Sequence, residues 1–281
     1  MLNGLIDGVL AQAIADAVKT EDITEIRLRL GRAPFVSTVN GGFRIRSYTI
    51  AQKDIERIMN NATDMSVYSV NDEMIRGYIP CKNLRIGVAG EGVLDNGRLL
   101  TVKNVAYLVI RIPHQIKNAA AEFVGDTVSP RVKNTLVISP PGAGKTTLLR
   151  ELAREASASN SVVIIDERYE LACVANGVPS LDIGNCEVMS GIPKTVAYEN
   201  CVRTMNPDVI VTDEIFRAAE VDAVCDIVRS GVKVFASVHA NSIAAIKESR
   251  VFAPLTDVFE YAVVLSKTPK IGSVVERAEL K

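Results

Sequence analysis

The spacing of apolar positions divides this chain of 281 residues into two textures. Positions 2, 5, 6, 9, 10, 13, 14, 17 and 18 are apolar at a helical period, which predicts an amphipathic N-terminal helix packing on its own domain. From Glu25 to Arg46 the period drops to two. In "EIRLRL", Ile26, Leu28 and Leu30 share one face while Arg27 and Arg29 share the other, and Arg44 and Arg46 repeat the device in "GFRIRS". The "NGG" at 40–42 supplies a tight hairpin. Thr49 and Gln52 then read as a capping box before the helical stripe Ile55, Ile58 and Met59. A second helix is expected near 66–76. Two strands joined at Asn96–Gly97 complete a small α+β domain over 1–112. Residues 113–133 read as a linker holding a short helix.

Beyond residue 134 the texture is that of an α/β domain, 134–281. The short β-branched runs "TLVIS", "SVVIID", "DVIVTD", "VKVFASV" and "YAVVLS" alternate with helical stretches. Leu148, Leu149, Leu152 and Ala156 form one stripe, and Val221, Val224, Cys225 and Val228 form another, stopped at Gly231. Continuously apolar strands with helices between them predict a mainly parallel sheet covered on both faces.

Charge and composition narrow the function. A net charge of −1 and the absence of tryptophan argue against a nucleic-acid groove, which would need a basic face and stacking aromatics. The five cysteines show no C-x-x-C spacing, so neither a zinc knuckle nor a disulfide framework is expected. The N-terminal stretch lacks a basic start and is interrupted by Asp7 and Asp16, unlike a secretion signal, and no run suffices for a membrane span. The chain is therefore expected in the cytoplasm, reaching a membrane only through partners.

The chemistry concentrates in "ISPPGAGKTTLLR". Ser139, Pro140, Pro141, Gly142, Ala143, Gly144, Lys145, Thr146 and Thr147 follow the phosphate-loop template, with Ser139 where its first glycine belongs. A strand before the loop and a helix after it aim backbone N–H groups at a phosphate chain. Lys145 would reach the β- and γ-phosphates of ATP, and the Thr146 hydroxyl would ligate Mg²⁺. "PDVIVTDEI" ends a strand in Asp213, suited to the metal, and Glu214, suited to orienting or deprotonating a water. "VVIIDERYEL" ends another strand in Asp166 and Glu167, which either extend the metal shell or cap the segment after the strand. His239 ends a third strand in "SVHANS", where its ring could sense the γ-phosphate.

Together the phosphate loop, "IIDERYEL", "VRTMNPDVIVTDEI" and "SVHANS" resemble, in order, the boxes of the secretion ATPase superfamily, which includes type II and type IV secretion ATPases and pilus-retraction motors. The stretches "EIRLRLGRAP" and "VMSGIPKTVAYENCVRTMNPDVIVTDEI" are similar to its sporulation branch. Two departures stand out: Ser139 in the loop, and Asp213 where those ATPases carry glycine. The resemblance implies a RecA-like ATPase using ATP and Mg²⁺, a hexameric ring, and an N-terminal domain folded over the nucleotide. It also implies phosphate-reaching arginines at Arg85 in "LRIGVAG" and Arg111 in "IRIP"; Arg203 is a further candidate. Arg27, Arg29, Arg44 and Arg46 read as an outer face or subunit contact. The implied partners are membrane proteins of a channel complex on the mother-cell side of a forespore. The expected function is a motor ATPase; a nucleic-acid-stimulated ATPase and a nucleotide-gated scaffold with little turnover are the alternatives.

Overall fold

The computed structural model describes residues 2, 4–6, 8–38, 41–63, 71–81, 84–112, 115–175 and 177–281. By internal contacts the chain divides into two units, Met1–His114 with Cys173–Ser180, and Gln115–Ala172 with Leu181–Lys281.

In the first unit, α1 (Gly8–Ala17) precedes β1 (Ile23–Arg29), β2 (Phe35–Thr38) and β3 (Gly41–Arg44). α2 (Gln52–Ala62), α3 (Asn71–Ile75), β4 (Tyr78–Cys81), β5 (Leu84–Asp95) and β6 (Arg98–Arg111) come next. The six strands form an antiparallel sheet in the order β3-β2-β1-β6-β5-β4. The alternation read from sequence sets its faces: Ile26, Leu28, Ile86 and Ile110 are buried in one core with Leu10, Ile14, Ile55 and Ile58. Leu2, Leu5 and Ile6 join that core, whereas Val9, on the predicted stripe, is exposed. Leu30 is exposed too, because β1 ends at Arg29.

Asn96 (φ 47°) and Gly97 (φ 78°) turn β5 into β6 with both residues at positive φ, the requirement of a type I′ hairpin. The capping at α2 differs from expectation. The Asp54 carboxylate accepts the Ala51 N–H at 2.8 Å and the Tyr48 hydroxyl at 3.0 Å, so Thr49 and Gln52 are not the box. Of the "NGG" turn and the helix expected near 66–76, Asn40 and residues 66–70 lie outside the described residues. β9 (Val174–Ala175) and β10 (Val178–Pro179) form a separate antiparallel pair.

The second unit is a seven-stranded sheet in the order β11-β8-β12-β13-β7-β14-β15. Its strands are β7 (Thr135–Ile138), β8 (Val162–Asp166), β11 (Glu187–Ser190), β12 (Val209–Ile215), β13 (Lys233–Val238), β14 (Tyr261–Ser266) and β15 (Ser273–Glu279). All neighbours are parallel except β14 and β15. The edge strands β11 and β15 are additions to the sequence expectation; "EVMS" and "SVVERAE" are too polar to read as core strands. The helices are α4 (Val124–Thr127), α5 (Lys145–Ala156), α6 (Lys194–Thr204), α7 (Ala218–Arg229), α8 (Ile243–Glu248) and α9 (Ala253–Thr256). Leu136, Ile138, Val163, Ile165 and Ile210 pack in one cluster with residues of α6 to α9, and the α5 stripe Leu148, Leu149, Leu152 and Ala156 is buried as its period required. Residues 115–133 pack into this unit: Ala120 and Phe123 are buried, and the Asn118 N–H donates to Glu151 at 2.8 Å.

Candidate nucleotide site

Parallel pairing brings the carboxyl ends of β7, β8, β12, β13 and β14 to one edge of the sheet, where ligands of such sheets gather. The phosphate loop leaves β7 there. Its left-handed residues are Gly142 (φ 73°) and Gly144 (φ 98°), the latter capping α5. Ser139 is fully buried, donates its N–H to the Val238 carbonyl at 3.2 Å, and is absent from the positive-φ positions. A side chain is therefore tolerated where the template has glycine.

Lys145 is 7% exposed, the first residue of α5, and turns its ammonium to His239 Nδ1 at 3.3 Å. The other ring nitrogen, Nε2, lies 3.1 Å from Glu214 Oε1. One neutral tautomer serves both contacts: Nδ1 accepts from Lys145 and Nε2–H donates to Glu214. The Ser139 carbonyl, 3.2 Å from Nδ1, is the partner of the opposite tautomer. Burial pulls the Lys145 ammonium below the usual lysine range, against attraction from Asp213, Glu214 and Glu170. An arriving phosphate would stabilise the charged ammonium that burial disfavours.

Asp213 accepts hydrogen bonds from the hydroxyls of Thr146 and Ser237. Ser237 Oγ in turn accepts the Glu214 N–H at 2.9 Å. Glu214 sits at φ 56° in a bulge of β12 between Thr212 and Ile215, which aims it away from the regular alternation. Its other carboxylate oxygen meets Arg168 Nη1 at 2.6 Å, and its carbonyl accepts from Lys194 Nζ at 2.7 Å. Lys194 is 4% exposed, its ammonium pulled down by burial against the pull of Glu220, Glu167 and Asp213.

Thr146 and Asp213 offer a hydroxyl and a carboxylate in direct contact, hard oxygen donors that suit Mg²⁺. No group of three or more His, Cys, Asp or Glu able to hold a metal occurs among the described residues, so a cation here would draw its other ligands from phosphate and water. Asp166 lies beside Asp213 and Glu214 on the same small cavity, but its oxygens are tied to its own segment. It is 3% exposed and accepts the N–H groups of Glu170 (2.7 Å) and Ala172 (2.9 Å). Burial pushes its carboxyl up, and those backbone hydrogen bonds hold it down. Glu167 lines a cavity of about 10 Å³ together with Asp166, Lys194, Asp213 and Glu214, room for about one water.

Arg85 and Arg111 belong to the first unit, opposite each other on β5 and β6 and away from its buried face. Arg85 stacks over Tyr78 at 4.3 Å, and Arg111 lies 3.6 Å from Glu25. Arg27 and Arg29 share that face. Arg203 lines an open groove between α6 and α7 with Val202 and Ile227. Sequence reasoning missed Arg168 and Lys194. The first succeeds Glu167 directly in "DERYEL", but nothing local ties it to a glutamate 46 residues away.

A parallel sheet, a phosphate loop between its strand β7 and helix α5, and acids at neighbouring strand ends define a RecA-like P-loop α/β protein with an added N-terminal unit. Solved structures share this fold. The ATPase DotB of Yersinia pseudotuberculosis aligns over 99% of this chain and 81% of its own, with a TM-score of 0.63 and 16% identity. The pilus retraction motor PilT, solved with bound ADP, aligns over 96% and 80%, with a TM-score of 0.62 and 16% identity. Within this class the chain belongs to the family of sporulation stage III, protein AA, whose model matches residues 1–279. The stage III sporulation protein AA of Bacillus subtilis (strain 168) is 32% identical over 232 residues, covering 79% of this chain and 75% of that protein. Protein SEEDLING PLASTID DEVELOPMENT 1 of Arabidopsis thaliana is 25% identical over 79% of this chain but 31% of its own length.

Proposed function

We propose that the chain binds ATP with Mg²⁺ in the loop Ser139–Thr147 and hydrolyses it, as the motor subunit of an oligomeric ring that drives a membrane complex during sporulation. The observation that carries the reading is His239, whose two ring nitrogens reach Lys145 and Glu214. A phosphate gripped by Lys145 takes that ammonium from His239, and the change passes to the glutamate on the ring's other side. Glu214 then orients and deprotonates the attacking water. Mg²⁺, held through Thr146 and Asp213, would neutralise the phosphate oxygens. Arg85 and Arg111 are assigned to the phosphates, where an arginine offsets charge developing in the transition state. DotB and PilT, by their names an ATPase and a motor, support the ATPase reading by shared fold, and membership of the sporulation family supports the setting. No helix among the described residues is long and apolar enough to cross a membrane, so the reading assigns membrane attachment to partner proteins.

The test is phosphate release by the purified protein, resolved by size so that assembly and turnover are read together. Glu214→Gln is expected to lower turnover at least about a hundredfold with ATP still bound, and Lys145→Ala to lose binding. Both oxygens of Glu214 are engaged, by Arg168 and His239, which favours a second reading: a nucleotide-gated scaffold. Under that reading Glu214→Gln would leave an already negligible rate unchanged.

A further inference from the structure

The turn between β14 and β15 lies against the phosphate loop. Val264 of β14 and Ile138 of β7 are register partners, so the two strands leave the sheet side by side at the same edge. The six residues Lys267 to Gly272 are fastened as a loop of their own. The Gly272 N–H donates to the Ser266 carbonyl (3.1 Å), the Thr268 N–H to Ser266 Oγ (3.0 Å), and Ser273 Oγ to the Lys270 carbonyl (2.8 Å). A methyl group added at Gly142 would stand 3.3 Å from both Cε and Nζ of Lys267. One added at Gly144 would stand 3.6 Å from Ile271 Cγ2 and from the Gly272 Cα. Lys267 is exposed and has no ion-pair partner among the described residues, and Ile271 is 65% exposed. A second lysine and a bare aliphatic side chain thus border the two left-handed glycines of the loop.

Sheet order says which end of a nucleotide they would meet. β7 is flanked by β13 on one side and β14 on the other. Lys145, Asp213, Glu214 and His239 all converge on the β12–β13 side, so the phosphate to be cleaved faces that way. The rest of the nucleotide must leave the loop away from those groups, toward β14 and β15. We infer that the Lys267–Gly272 loop is the nucleoside side of the site: Lys267 adds a second cation to the phosphates nearest the ribose, and Ile271 supplies the apolar surface on which ribose and base rest. The ligand class is a nucleoside polyphosphate, told from bare polyphosphate by Ile271. This inference rests on the phosphate-loop reading proposed above.

The experiment is calorimetric titration of the full chain with ATP and, separately, with inorganic tripolyphosphate, each with Mg²⁺. Lys267→Ala is expected to weaken both ligands about tenfold, the loss of one charge-assisted contact, and Lys267→Arg to recover most of that affinity. Ile271→Ala is expected to weaken ATP about fivefold and leave tripolyphosphate unchanged, because only the nucleoside offers apolar surface to lose. Both side chains are exposed, so the melting temperature without ligand should stay at the wild-type value, which separates these effects from misfolding. If wild type binds ATP, Lys145→Ala does not, and both loop variants bind like wild type, this inference is wrong and the phosphate-loop reading stands. If Ile271→Ala weakens both ligands equally, the loop does not read the nucleoside. If wild type binds neither ligand, the phosphate-loop reading itself falls.

Discussion

Glu214 holds a left-handed backbone inside a strand, a conformation that costs a residue with a Cβ about 1–2 kcal/mol. Several neighbours maintain it: Ser237 receives its N–H, Lys194 holds its carbonyl, and Arg168 and His239 grip its carboxylate. Strain kept by so many partners at one residue marks a position whose aim matters more than its stability. Arg168 touches the site only through Glu214, so the proposed hydrolysis makes it a positioning residue. On the proposed hydrolysis, Arg168→Met should lower kcat about tenfold or more, since a misplaced base forfeits orientation, while ATP affinity stays near wild type. Arg168→Lys should restore part of the rate. Equal losses in affinity and kcat, with no recovery by lysine, would show that Arg168 merely supports the fold.

Among the elements, α2 tests how local chemistry and tertiary contact share a helix end. Its first turn is tied by Asp54, 6% exposed, which accepts from Ala51 N–H and from the Tyr48 hydroxyl. Burial, then Asp54, pushes the Tyr48 hydroxyl up, keeping it protonated as a donor. Asp54→Ala removes a cap and strands a half-buried hydroxyl. The expected cost is about 1–3 kcal/mol, read as a lower denaturant midpoint with an unchanged slope. A loss under about 0.5 kcal/mol, the range of an ordinary surface change, would show that water replaces the carboxylate. The Asn96–Gly97 turn is legible in the sequence because both positive-φ residues are adjacent. The α2 cap is not, because Thr49 and Asp54 both carry capping oxygens, and only the path of the chain decides which reaches the helix end.

At the scale of the molecule, the two hydrophobic clusters share no residue: one ends at Ile112 and the other begins at Leu136. Each unit therefore has a core able to unfold as its own cooperative block. Ile26→Ala and Ile210→Ala each remove a fully buried side chain and should each cost about 2–5 kcal/mol. Scanning calorimetry should show two transitions, with Ile26→Ala lowering one and Ile210→Ala the other. A single transition shifted alike by both variants would mean that the units melt as one.

The alternation of β1, the parallel character of β7, β8, β12 and β13, and the residue types at their carboxyl ends are all legible along the chain. Those signals depend on neighbours a few positions apart, where side-chain period and turn chemistry act directly. Ser139, Lys145, Asp213 and Glu214 could be named as candidates on that ground, and His239 with the added weight of the family resemblance. The sheet order, the placement of β11 and β15, the hydrogen bonds of Asp166 to its own backbone, and the pairing of Arg168 with Glu214 emerge only in the folded chain. Folding alone laid Lys267 and Ile271 against the phosphate loop. Parallel strands are joined by long crossovers, so which strand lies beside which depends on burying both sheet faces at once, a requirement of the whole unit that no short stretch records.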